Sequence, residues 1–143
     1  MASMEGVTGR RVVASLGRGC DLLHEIERLA DEHNVGFGEV RGIGSLDRAA
    51  VSYYDQQAKA DRELAFEKPM MLLALAGTVL EENGSTGAHV HVVLADESGR
   101  AFGGDVSVGC RVFSCELVIE ELSTGQVSRR VDAATGLARL QFS

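Results

Sequence analysis

The amino-acid sequence predicts an α+β fold, a mainly antiparallel sheet with one N-terminal helix. Three observations predict it. Only one stretch, Asp21 to His33, has a well-formed helical stripe, with Leu22, Leu23, Ile26, Leu29 and Ala30 on one face. From residue 37 onward, alternating or β-branched runs follow one another between turn signals. The 143 residues include 17 Gly and one Pro, a composition suited to turns and bulges, and the length suits one domain with a proper core.

The elements follow in order. "RVVASL" (11–16) is short and β-branched and reads as a first strand, which "GRGCD" breaks. In the helix, Asp21, Glu25 and Glu27 lie toward the start, where the dipole favours negative charge, and Asn34 and Gly36 supply a stop. "FGEVRGIGSL" and "RAAVSYYD" read as two strands. Residues 56–68 are polar and read as a connection with at most an irregular strand. "MMLLALAGTVL" is continuously apolar, as in a strand covered on both faces; Gly77 and the β-branched Thr78-Val79 favour strand over helix. "AHVHVVLA" and "RAFGGDVSVG" flank the tight-turn signal "DESG". In "RVFSCELVIEE" (111–121), Phe113, Cys115, Leu117 and Ile119 share one face and Val112, Ser114, Glu116 and Val118 the other. "LARLQF" reads as a last short strand. One helix cannot cover both faces of such a sheet, so its own curvature or another subunit covers the rest, which predicts a closed symmetric oligomer.

Bulk chemistry narrows the function classes. The net charge is -7, which repels a phosphate backbone and argues against nucleic acid as the default partner. The cysteines Cys20, Cys110 and Cys115 are odd in number and form no CxxC, so they read as reduced, mostly buried thiols rather than a disulfide framework or a Cys-type zinc site. The N-terminus has no signal-peptide core and no apolar run is long enough to span a membrane, which together predict a cytoplasmic protein.

The residues that point to chemistry lie in "AHVHVVLADESGRAFGGDV". Strand alternation puts His89, His91 and Val93 on one face and the apolar Val90, Val92 and Leu94 on the core face. Counting back from the turn sets Gly103–Asp105 opposite Val90–Val92, and a bulge at the glycine pair then brings Asp105 to the histidine face. Two imidazoles and a carboxylate with open positions form a set for one divalent metal, Zn or Fe/Mn. Two histidines at this spacing also occur on partly exposed strands without any ion. Arg41, in "VRGIG", is a candidate to bind a carboxylate or phosphate. Tyr53 and Tyr54 point to opposite faces, one toward core or interface and the other toward a cleft, with Tyr53 taken as the ligand-binding candidate.

The series "LGRGCDLL", "GEVRGIGSLDRAAVSYYD", "FEKPMMLLALAGTV", "HVHVVLADESGRAFGGDV" and "CELVIEEL" resembles the plant and prokaryote conserved (PPC) domain family, over about residues 11–122. The resemblance implies the family's α/β-type fold, a homotrimer, and residues 1–10 and 123–143 as a flexible N-terminus and a C-terminal extension packed on the same domain. In the family's plant members an AT-hook contacts DNA; this chain has no Arg-Gly-Arg-Pro hook. Some bacterial members bind metal through "HxH…GGH", which His89 and His91 match while Asp105 stands at the third position. Glu116 matches an acidic position and is a candidate general base or a partner to Arg41 or Arg111. The implied function is a homotrimeric binding and assembly module, bacterial and free-standing, with a metal or small-molecule site and no organic cofactor. The alternative is an enzyme acting on a small anionic metabolite at a subunit interface, with Arg41 or Arg111 as anchor.

Overall fold

The computed structural model describes residues 1–143. Its elements are β1 (Val7–Leu16), α1 (Leu22–Glu32), β2 (Phe37–Asp55), β3 (Ala60–Phe66), β4 (Met70–Glu82), β5 (Ser85–Ala95), β6 (Ala101–Val106), β7 (Arg111–Ser123), β8 (Val127–Val131) and β9 (Ala138–Phe142). Seven of the strands form one antiparallel sheet and β8 and β9 form a separate two-stranded one, so the predicted α+β class holds. No helix is long and apolar enough to cross a membrane.

The helix forms where the periodicity places it. The Asp21 carboxylate caps it by accepting from the His24 backbone N–H at 3.1 Å, and its other oxygen accepts from the Gly109 N–H at 2.7 Å, which ties the helix start to the approach of β7. Leu22, Ile26, Leu29 and Ala30 are buried against the sheet. Asn34, with φ 54°, turns the chain out of the helix.

The two predicted strands of residues 37–55 are one strand of 19 residues. Its first half lies between β7 and β4, and its second half pairs with β3 and, at Val51 and Ser52, with β6. The ladders β2–β4, β4–β5, β5–β6 and β6–β2 therefore form a closed circuit. Register shifts near Gly42–Gly44 and between Ser45 and Arg48 bend β2 enough for this. Residues 56–68 hold a tight turn and a regular strand, β3, rather than an irregular connection: Asp55 accepts from the Gln57 and Ala58 N–H groups, each at 2.9 Å, and organises the turn.

The core lies between α1 and one face of the sheet. Val40, Leu46, Leu72, Leu75, Val79, Val90, Val92, Leu94, Leu117 and Ile119 are all buried there. The opposite face has no helix over it, and Val13, Ile43, Met71, Leu73 and Val93 stand 44–77% exposed. The apolar run of β4 is therefore covered on one face of this chain only. The alternation in β7 also departs from the sequence expectation. The register with β2 shifts between Ser114 and Val112, so Val112 is buried and Phe113 is 49% exposed, detached from Cys115, Leu117 and Ile119. All three cysteines are free thiols, and burial pushes Cys115 up to about 11.

The C-terminal segment contributes two strands rather than one. They pair with each other and not with the main sheet.

Gly77 shows how tightly β4 and β5 pack. A Cβ there would sit 2.1 Å from the His89 carbonyl oxygen and 2.5 Å from the Val90 Cα, both backbone atoms that cannot yield cheaply. Gly77→Ala is expected to destabilise the fold by about 2 kcal/mol or more, as overpacking against backbone does. Urea unfolding followed by circular dichroism measures it; an unchanged midpoint would contradict the packing described.

Candidate metal centre

The hairpin β5–β6 presents its donors through strand alternation. Val90, Val92 and Leu94 point inward at 0–3% exposure, and this forces His89 and His91 onto the uncovered face. The Asp96 carboxylate fixes the turn, accepting from the Ser98 N–H, the Ser98 hydroxyl and the Arg100 N–H at 2.7–3.0 Å. These hydrogen bonds, chiefly the hydroxyl's, hold Asp96 below the usual carboxylate range, with the charge of Lys68 adding to them.

The hairpin register differs by one residue from the count made along the sequence. Asp105 pairs with His91, Gly104 with Val92 and Gly103 with Val93, with no bulge between the strands. Asp105 shares the histidine face because it lies directly opposite His91. The glycine pair serves close approach instead: a Cβ on Gly104 would lie 2.7 Å from the Ser52 carbonyl oxygen of β2. Asp105 is thus flanked by His91 on one side and by Ser52 on the other.

The three side chains converge. His89 Nε2 lies 3.5 Å from Asp105 Oδ2, and His91 Nε2 lies 3.9 Å from Asp105 Oδ1. The two imidazoles meet edge to face with centroids 5.3 Å apart, and one donor atom from each residue falls within 4.8 Å of the others. Two donors each about 2.1 Å from one tetrahedral ion lie about 3.4 Å apart, so the His89–Asp105 pair fits closely as it stands and small side-chain rotations would bring in His91. The donor chemistry, two neutral imidazoles and a carboxylate, suits Zn, Fe(II) or Mn. The side chains are 43%, 70% and 39% exposed, which leaves room for further ligands.

The other predicted site residues are spread across the same sheet. Arg41 occupies the row of His91 and Asp105, since Arg41 pairs with Ala76, Ala76 with His91 and His91 with Asp105. It forms no ion pair, and lies two strands from β5, roughly 10 Å at the usual strand spacing. Glu116 lines a shallow apolar depression with Arg41, Val13, Ile43 and Ala76. It is three strands from β5, roughly 14 Å, and is bonded to neither Arg41 nor Arg111. Arg111 lies at the far end of β7, where it faces Asp47 at 3.8 Å. Tyr53 is 60% exposed, whereas Tyr54 falls on the same side as Ser52, the residue opposite Asp105.

Arg129 comes close to the triad without any mark in the sequence. The hairpin β8–β9 folds back over the sheet: the Arg129 N–H donates to Glu82 at 3.0 Å, the Arg129 guanidinium donates to the Thr78 hydroxyl, and the Tyr54 hydroxyl donates to the Thr135 carbonyl at 2.6 Å. Thr78 is directly opposite His89. Burial pushes the Arg129 guanidinium below its ordinary value, against the opposing pull of Glu82 and Asp105. No local signal marks Arg129, because its partners precede it by some fifty residues.

Residues 3–123 match the model of a family described as the Plants and Prokaryotes Conserved domain. Two curated relatives, the bifunctional protein GlmU of two Synechococcus strains, are each 32% identical over 126 residues; this is 87% of this chain but 19% of theirs, so the chain spans about a fifth of their length. Among solved structures, a metal-containing protein from Archaeoglobus fulgidus is 29% identical with a TM-score of 0.92, covering 99% of both chains. A plant- and prokaryote-conserved protein from Pyrococcus horikoshii is 24% identical with a TM-score of 0.88 over 97% of both chains. A candidate DNA-binding protein from Bacteroides thetaiotaomicron shares the fold at 19% identity and a TM-score of 0.85, over 98% of this chain and 96% of that one.

The Asp96 turn yields a pH prediction. A carboxylate held below its unfolded value of about 3.8 stabilises the fold above that pH, and the contribution is lost as pH falls through the folded value. Asp96→Asn should lower the Tm at pH 7, and its gap from the wild type should narrow below about pH 4. Thermal melts across pH check this; a gap independent of pH would show that Asp96 does not act through its charge.

Proposed function

We propose, from the premise that this chain belongs to the Plants and Prokaryotes Conserved domain family, that it is a self-associating binding module holding one divalent metal ion on the β5–β6 hairpin. The observation that carries the reading is the convergence of His89, His91 and Asp105 within 4.8 Å on an open sheet face. His89 and His91 would supply imidazole nitrogens and Asp105 a carboxylate oxygen; the ion, once bound, supplies a Lewis acid with positions open to a small ligand. The metal-containing character of the Archaeoglobus fulgidus protein supports the assignment. Arg41, on the same row and without an acidic partner, is placed to attract an anion toward it.

Self-association rests on the uncovered face. Val13, Ile43, Met71, Leu73 and Val93 form an apolar surface that one helix cannot reach, and a closed homotrimer is the assembly proposed for it. The net charge of -7 supports a partner other than nucleic acid, although some proteins of this fold are described as candidate DNA-binding proteins. Acid–base catalysis by Glu116 on the histidines of its own chain receives no support, since strands β2 and β4 lie between them. An enzymatic role for Glu116 would need the triad of a neighbouring subunit.

Elemental analysis of protein purified without an affinity tag, together with its mass in solution, tests the reading. One equivalent of metal per chain is expected. It should be lost in His89→Ala, and metal affinity should fall by about tenfold or more in Asp105→Ala. A metal-free protein that takes up no Zn2+, Fe2+ or Mn2+ overturns the metal assignment, and a monomer overturns the assembly.

A further inference from the structure

The hairpin β8–β9 lies beyond residues 3–123 and is pinned on both sides of the metal group. On the β4 side, Arg129 reaches Glu82 through its backbone and Thr78 through its guanidinium. On the β2 side, Tyr54 holds the Thr135 carbonyl. Thr78 is opposite His89, and Ser52, two residues before Tyr54, is opposite Asp105. Opposed residues have Cβ atoms about 4.5–5.5 Å apart, so a guanidinium bonded to Thr78 stands on the order of 8 Å from the His89 ring.

Arg129, like Arg41, makes no ion pair, but it is held at Thr78, the residue opposite His89. Arg11 is committed to Glu120 at 2.5 Å and Arg10 to Glu121 at 2.7 Å. The Arg129 side chain bonds only the neutral Thr78 hydroxyl, and the carboxylates whose charge it feels are Glu82 first and Asp105 second, neither bonded to the guanidinium. Its remaining donors form a planar fork suited to a carboxylate. A half-buried guanidinium with no carboxylate bonded to it is costly to keep, and an anion that completes it recovers the lost hydrogen bonds.

We propose that Arg129 is an anion anchor, so that the site takes a small dicarboxylate with one carboxylate toward His89, His91 and Asp105 and the other on the Arg129 guanidinium. This rests on the reading of those three residues as metal ligands and adds to it the class of molecule that the metal meets. Arg129 touches the ligand and not the ion, so its removal should change ligand affinity and leave metal affinity intact.

Calorimetric titration of the full chain at fixed ionic strength tests the proposal, with malonate as probe and acetate, which cannot reach both groups, as its control. In the Zn2+-loaded protein, malonate should bind about tenfold tighter than acetate. Arg129→Gln should abolish that preference while Zn2+ affinity stays within about threefold. Thr78→Val, which keeps the charge but frees the guanidinium, should weaken malonate by a smaller factor. Arg129→Lys guards against misfolding of the Gln variant: it should fold and retain only part of the preference. A malonate-to-acetate ratio unchanged in both Arg129 variants overturns the anchor, as does an equal loss of Zn2+ and malonate. If the wild type takes up no Zn2+, the metal reading fails by itself, and titration of the metal-free chain decides for Arg129. Malonate binding weakened in Arg129→Gln keeps the anchor; binding that is equal or absent removes it.

Discussion

The rest of the structure depends on the burial of one face of β5. Val90, Val92 and Leu94 fill the space under α1, and nothing polar could replace them there at tolerable cost. Because strand residues alternate, this burial alone commits His89 and His91 to the other side. The paired strand then does the same for Asp105 through its register with His91. The candidate metal centre is thus a by-product of core packing: hydrophobic burial points the donors, and electrostatics only has to tolerate where they end up.

The uncovered face is chemically divided. Toward β1 and β7 it is apolar, with Val13, Ile43 and Val118 around the single charges of Arg41 and Glu116. Toward β5 and β6 it carries the imidazoles, Asp105 and the hairpin that brings Arg129. In a protein of net charge -7, the cations Arg129 and Arg41 on this face offset part of the negative charge near the donor cluster. The apolar half suits contact with another copy, and the polar half suits a small charged ligand.

Much of this was legible in the sequence, for identifiable reasons. The helix, the core face of β5 and the histidine pair follow from periodicities carried within single segments, and the structure agrees with each. The homology of five ordered blocks pointed to the family that the family model also matches. What failed did so where two segments meet. The register of Asp105, one step from the count, depends on how the turn closes around Asp96, which strand alternation does not encode. The exposure of Phe113 follows from a shift between β7 and β2. Arg129 was missed, and Tyr53 was preferred to Tyr54, because Arg129 and Tyr54 acquire their places only when residues 127–142 fold back over the sheet.

The circuit of ladders from β2 through β4, β5 and β6 back to β2 has a consequence for recognition. Asp105 belongs to a strand bonded on both sides, and His89 and His91 to one likewise bonded on both sides. None of the three backbones can drift without breaking a ladder, so most of the ordering entropy that a ligand would otherwise have to overcome is already spent in folding. Such a frame gives up adaptability. It favours ions and ligands whose size matches the donors' fixed spacing and penalises those that would require the strands to move, so selectivity becomes a property of the sheet's rigidity as much as of the side chains it displays.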